Sequence, residues 1–263
     1  MTSPILEVHP VLLNGRNAII YGGGGAIGGA IARAFATAGA TVHLAGRTAA
    51  TLEATAAAIR AAGGTAFAAE VDALDEAAVD AHADRVAATA GSIDISVNVI
   101  ADNDVQGTPM VEMTAGDYLS PVLTNVRSKF LTTRAAARHM IRQGSGVLLF
   151  FGGAADRSPL RDYSFGGLLT AFEAVEQLRR QLATELAPHG IRVVTLRTGG
   201  VPEAIPASSP ARAEVEAMLT AKSLTGRTAT LQDVGRVAVF AASDWARTLT
   251  GTAINMSCGA MLD

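Results

Sequence analysis

Short β-rich runs alternate with alanine-rich helical runs along the chain, and this alternation constrains the fold more than any single motif. The strand-like runs are Asn17–Tyr21, Thr41–Ala45, Thr65–Val71, Ile93–Val99, Val147–Phe151, Ile191–Leu196 and Thr252–Met256. Between them lie helical runs at Ala26–Ala38, Ala49–Ala62, Asp75–Thr89, Ala115–Gln143, Gly167–Ala187 and Leu231–Ala242. Glycines punctuate the exits: Gly63–Gly64 and Gly91 follow two helices, and Gly144 and Gly146 lead into Val147–Phe151. Strands separated by helices predict βαβ units, and hence a parallel sheet with helices on both faces. The strands read as continuous apolar runs, as a sheet covered on both sides requires. The expectation is a doubly wound α/β fold with a seven-stranded sheet, in one domain spanning residues 1–263. Only Gly199–Arg227 breaks the rhythm, with Pro202, Pro206, Pro210 and a short helical piece at Arg212–Leu219. Beside a sheet's carboxyl edge such an insertion is expected to be a substrate lid; a plain surface excursion is the alternative.

Composition narrows the classes. With 49% apolar residues the chain can build a large core, and a net charge of −3 gives no general attraction to nucleic acid or an anionic membrane. Cys258 is the one cysteine, so no intramolecular disulfide can form, which suits a reducing cytoplasm. Met1–Gly15 carries Glu7 and Pro10 in place of a basic start and an apolar run, so no signal peptide is read. No apolar stretch approaches the ~18 residues of a membrane span. His9, His43, His82, His139 and His189 show no ligand spacing, and no metal site is expected.

The segment Gly22-Gly23-Gly24-Gly25-Ala26-Ile27-Gly28 follows the first strand and opens the first helix. That context makes it a dinucleotide-binding loop of the Rossmann type rather than a merely flexible turn. Gly22 permits a tight turn. Small residues at 24–26, Gly24 and Gly25 among them, let the backbone approach a pyrophosphate at the positive end of the helix, with Ile27 alongside. Gly28 lets the helix pack close on the sheet. About twenty residues on, where a carboxylate would hold the ribose 2′-hydroxyl of NAD, stand Ala45-Gly46-Arg47. Arg47 can pair bidentately with a 2′-phosphate, so NADP(H) is expected over NAD(H). An exposed, unpaired arginine is the alternative.

On these residues the chain resembles the short-chain dehydrogenase/reductase family over nearly its whole length. Tyr21–Gly28 is similar to the family's TGxxxGxG loop, with Ala26 in place of its second glycine. The resemblance implies that Asp72, with Ala73 beside it, meets the adenine amino group. Asn98-Val99-Ile100-Ala101 is similar to the NNAG segment that ends the fourth strand. Asn125 matches the helix asparagine that holds a water in the family's proton relay. Thr198-Gly199 occupies the Pro-Gly turn after the sixth strand, and Val201 the position whose backbone meets the nicotinamide amide. The helices at Ala115–Gln143 and Gly167–Ala187 match those that pair across the family's two-fold interface, implying a homodimer or homotetramer acting on a small-molecule substrate.

The catalytic part departs from the pattern. Family members use a tyrosine four residues before a lysine, plus a serine. Here Tyr21 leads to Gly25, Tyr118 to Val122 and Tyr163 to Gly167, and the only lysines are Lys129 and Lys222. Counting back from Glu185–Gly190 puts Leu168 at the tyrosine and Phe172 at the lysine. Anchoring on Val147–Phe151 puts Gly152-Gly153 at the serine pair. Asn125 is retained. Tyr163 lies near the expected substrate position, as an unusual donor or as a pocket-wall tyrosine. Lys129 shares a helix face with Asn125; it either replaces the missing ammonium or, as expected here, is a solvated or interface residue. Asp102 and Asp104 are substrate-binding groups or a hydrophilic loop. Asp156, Arg157, Arg161 and Asp162 read as a structural ion-pair cluster. The function expected is an NADP(H)-dependent oxidoreductase with a degenerate catalytic set. The alternatives are an inactive NADP-binding sensor or partner protein, and a lyase or isomerase reusing the pocket.

Overall fold

The computed structural model describes residues 11–153 and 163–262; the stretches expected around Met1–Pro10 and the charged cluster Asp156–Asp162 lie outside the described residues. The strands are β1 (Asn17–Tyr21), β2 (Thr41–Gly46), β3 (Thr65–Glu70), β4 (Ile95–Asn98), β5 (Gly146–Gly153), β6 (Ile191–Thr198) and β7 (Thr252–Asn255). The helices are α1 (Ala26–Thr37), α2 (Ala49–Ala61), α3 (Glu76–Ala90), α4 (Ala115–Gln143), α5 (Leu168–Leu186), α6 (Ala211–Lys222) and α7 (Leu231–Ala242). The seven strands form one sheet in the order β3-β2-β1-β4-β5-β6-β7, with every pairing parallel. The expected doubly wound fold is therefore present, and its order reverses between β1 and β4.

Alternation along β1 shows how both faces are filled. Ala18 and Ile20 enter a core with Ile31 and Phe35 of α1, Leu52 of α2 and Val234 of α7. Ile19 and Tyr21 point the other way, into a core with Val79 of α3, Leu131 and Met140 of α4, and Val175 of α5. Successive strand side chains face opposite sides of the sheet, so a strand covered on both sides must be apolar throughout. The edge strand β3 departs from that expectation. Phe67 is 55% exposed, and only Ala66 of the strand is buried, because β3 has a neighbour on one side alone.

Local chemistry sets the helix boundaries. Asp75 caps α3 by accepting from the Ala78 N–H, Thr114 caps α4 through the Asp117 N–H, and Thr230 with Asp233 forms a capping box on α7. Among the described residues no helix is long and apolar enough to cross a membrane. The insertion 199–227 contains a single 3₁₀ turn at Pro202–Ala204 and α6, whose residues are nowhere buried. It is tied down at both ends. The Ser223 hydroxyl donates to the Cys258 carbonyl at 2.8 Å, and the Glu203 carboxylate accepts from the Leu231 N–H at 2.7 Å.

Candidate functional site

The point where strand order reverses opens a crevice between the carboxyl ends of β1 and β4, the usual ligand site of such sheets. Tyr21 pairs with Asn98 there, so the loops that leave the two strands lie side by side. Gly22 has φ +88°, and a Cβ on it would stand 2.7 Å from the Val99 carbonyl oxygen. At Gly28 a Cβ would strike the Gly22 carbonyl, and at Gly24 it would strike the Thr51 hydroxyl. The loop is thus pressed between α1, α2 and the β4 exit, and only glycine fits at these three points. Gly25 stands at the N-cap of α1 without a side-chain hydrogen bond, which leaves the first N–H groups of the helix for an anion. Ile27 is half-buried beside them. This bare cradle fits the pyrophosphate of a dinucleotide.

The other expected binding residues fall around the same edge. Arg47 is exposed directly after β2. Asp72 is exposed after β3, its carboxylate accepting from the Leu74 N–H at 3.0 Å, and Ala73 beside it is buried. Asn98 is buried: its Nδ2 donates to the Thr132 hydroxyl at 3.1 Å, and its Oδ1 accepts from the Ile100 N–H at 3.2 Å. It fastens the β4 exit to α4. Gly199 packs within 3.4 Å of Ser257 and Ala260, counted from where a Cβ would stand, and Val201 is buried at the start of the insertion.

On α4 the buried stripe runs through Pro121, Asn125, Ser128, Lys129 and Thr132. Here the expectation for Lys129 is corrected. It is 1% exposed, neither solvated nor at the surface, because its position falls in the helix stripe that packs on the sheet. Its Nζ donates to Asn125 Oδ1 at 2.7 Å, and Asn125 Nδ2 donates to the Pro121 carbonyl at 3.0 Å. Burial pushes the Lys129 ammonium down to about 8, with the Asp102 carboxylate acting against that shift. Asp102, half-buried on the loop leaving β4, is raised by burial and by Asp104, and drawn back by the Lys129 ammonium and the Asn125 amide. The signal for this grouping was the four-residue spacing of Asn125 and Lys129 within a helix stripe of small and apolar residues.

Tyr163 is placed differently from Asn125. It is 46% exposed, its hydroxyl donates to Gln106 Oε1 at 2.9 Å, and its ring meets Phe165 edge-on at 4.9 Å. Gln106 in turn donates to Asp104. The two positions counted as the family's tyrosine and lysine are apolar: Leu168 is buried and Phe172 half-buried. Gly167, which the sequence showed only as a helix start, is where α5 meets α4. A Cβ there would run into the Tyr118 carbonyl.

Comparison with known proteins agrees with this geometry. A family profile described as enoyl-(acyl carrier protein) reductase matches residues 24–261. Galactitol 2-dehydrogenase of Rhizobium johnstonii is 30% identical, over 94% of this chain and 95% of its own. The short-chain reductase protein NovJ of Streptomyces niveus is 29% identical over 98% of this chain and 99% of its own. Among solved structures, a 7α-hydroxysteroid dehydrogenase complexed with NADH and 7-oxo glycochenodeoxycholic acid is 28% identical. It superposes with a TM-score of 0.83, covering 96% of this chain and 97% of that one. With the switch-point crevice, the glycine cradle and these relatives in agreement, the chain belongs to the short-chain dehydrogenase/reductase family of oxidoreductases, whose members bind a nicotinamide dinucleotide.

Proposed function

We propose that this protein is an NADP(H)-dependent oxidoreductase acting on a small molecule, with the family's Ser–Tyr–Lys set degenerate. The observation that carries the cofactor choice is Arg47, exposed at the end of β2 with no carboxylate beside it in Ala45-Gly46-Arg47. Its planar guanidinium would take a 2′-phosphate bidentately, whereas a ribose 2′-hydroxyl asks for an acceptor. When bound, the dinucleotide supplies hydride; the protein orients it and excludes competing reactions. Leu168 and Phe172 support the degenerate set, since neither can donate a proton. Substrates whose electrophilic carbon needs little proton help, such as an activated double bond or an iminium, then fit best. Calorimetry tests the cofactor choice. The wild type should bind NADP(H) more tightly than NAD(H), and Arg47→Asp should reverse or erase the preference; equal wild-type affinity would refute it. The same reading makes α4 and α5 the faces of a homodimer or homotetramer, and light scattering that returns a monomer at micromolar concentration would remove this part.

A further inference from the structure

Among the described residues the buried charges of α5, Glu176 and Arg179, are paired directly, but the one on α4 is not. Lys129 donates to a neutral amide, Asn125 Oδ1 at 2.7 Å, and no direct ion pair joins it to Asp102, the carboxylate that acts on it. The Asn125 amide lies between them, its Oδ1 toward the ammonium and its Nδ2 on the Pro121 carbonyl and toward Asp102. Asp102 itself is half-buried rather than enclosed. It sits three residues beyond Val99, whose carbonyl oxygen would be 2.7 Å from a Cβ on Gly22 of the cofactor cradle. The loop holding it is fixed. Asn103 adopts φ 55° and donates to the Ser120 hydroxyl at 2.7 Å, and the Gly107 N–H donates to the Ser164 carbonyl at 2.8 Å. A left-handed residue that is not glycine needs such an anchor, and asparagine tolerates it best. The loop thus leaves the β4 exit and is held against the half of α4 that carries Asn125 and the buried Lys129, with the Asp102 carboxyl half-buried beside them.

We propose that Asp102 is the proton-exchanging group of this site, and that Lys129 is its positioning residue, acting through Asn125. The proposal rests on the oxidoreductase reading given above. With a proton-exchanging carboxyl at the site, the substrate class extends beyond carbons that need little proton help to an alcohol and carbonyl pair, or an amine and imine pair, whose heteroatom gains or loses a proton as hydride moves. In the oxidative direction the carbinol C–H bond breaks with hydride passing to the oxidised nicotinamide. The O–H bond pair becomes the carbonyl π bond, and the proton goes to the Asp102 carboxylate. In reduction hydride adds to the carbon, the π pair moves to oxygen, and the Asp102 O–H bond breaks to supply the proton. The carboxylate left behind is stabilised by the Lys129 ammonium beyond Asn125, and being half-buried it regains its proton from water. Among the described residues the charged groups acting on Asp102 are Lys129 from α4 and Asp104 from its own loop, and the one acting on Lys129 is Asp102.

A group with this role must feel the charge of the nicotinamide, positive when oxidised and neutral when reduced. A carboxyl with a merely structural role would not. The experiment is calorimetry of NADP⁺ and NADPH binding in paired buffers of different ionisation heat, between pH 5 and 9. The difference between them gives the proton released with the oxidised form alone. The wild type should release more protons with NADP⁺ than with NADPH. Asp102→Asn should abolish that difference while still binding both forms, and Asp102→Glu should retain it. Lys129→Met removes the cation that holds Asp102 down, so the pH at which the difference peaks should rise by about one unit or more, as expected for loss of a nearby opposite charge. Lys129→Arg should keep it near the wild-type pH. An Asp102→Asn protein that binds both forms and still shows the wild-type difference overturns the proposal while leaving the oxidoreductase reading intact. A Lys129→Met peak at the wild-type pH removes the role of Lys129, and covers the case in which the Asp102 variants do not fold. If the wild type binds neither form, the functional reading falls, and this proposal with it.

Discussion

Two buried charge sites, on the neighbouring helices α4 and α5 that share one face of the sheet, solve the same problem in different ways. On α5, Glu176 Oε2 accepts from Arg179 at 2.8 Å and from Arg197 of β6 at 3.2 Å. Burial alone would raise the Glu176 carboxyl, but the two guanidinium groups hold it below its ordinary value. On α4, Lys129 meets an amide instead of a carboxylate, and burial wins: the ammonium is pushed down to about 8. Direct pairing keeps the Glu176 carboxylate ionised. A neutral partner, with the counter-charge one group further away, leaves the proton free to move near neutral pH. That is the difference between a brace and a chemical group, and it can be tested from both sides.

The largest effect is expected at the brace. Glu176→Leu leaves the Arg179 guanidinium buried without its carboxylate, at a cost of about 3–5 kcal/mol in stability, to be read as a lowered urea midpoint. Glu176 is held below its ordinary value, so its contribution is present above the carboxylate range and fades as pH falls through it. The variant should therefore show a flatter acid limb than the wild type. A variant as stable as the wild type would mean that the cluster does not brace α5 against β6.

At Lys129 the stability effect should be smaller, and it should change with pH in the alkaline range rather than the acid one. Lys129→Met gives up one hydrogen bond to an amide but also removes the cost of burying an ammonium, so the net change near pH 7 should stay within about 1 kcal/mol. The ammonium is at about 8 in the fold against an ordinary 10.5, so the unfolded chain binds the extra proton between those values. Wild-type stability should then gain from this group as pH rises through that window, and Lys129→Met should lack that gain. Urea titrations of both proteins at pH 7.5 and 10 would measure it, and parallel curves would contradict the buried, shifted lysine.

Tyr163 should give the smallest change. Its hydroxyl serves Gln106 at an exposed position, with no cation bound to it among the described residues. Tyr163→Phe should alter turnover by less than roughly tenfold, about 1.4 kcal/mol of barrier. A loss of hundreds-fold with NADPH affinity unchanged would move the proton donor from Asp102 to Tyr163.

The amino-acid order alone determined the architecture. Seven apolar strand runs set between helical runs admit few arrangements, and α4, α7 and β1 fall where periodicity and capping residues put them. The glycine cradle was legible too, because Gly22, Gly24 and Gly28 occupy points where a Cβ would strike backbone or the Thr51 side chain. What the order of residues left open was which polar groups meet. Asn125 and Lys129 share a helix face, but whether that face met water or the sheet depended on how α4 lies between α3, α5 and β4. Asp102 is 27 positions away from Lys129 in the chain, and only the β4 exit, tied by Asn98 to Thr132 and by Asn103 to Ser120, brings it to the same site. Burial is a property of three-dimensional packing, and it is burial that turns an ordinary lysine into one titrating near 8.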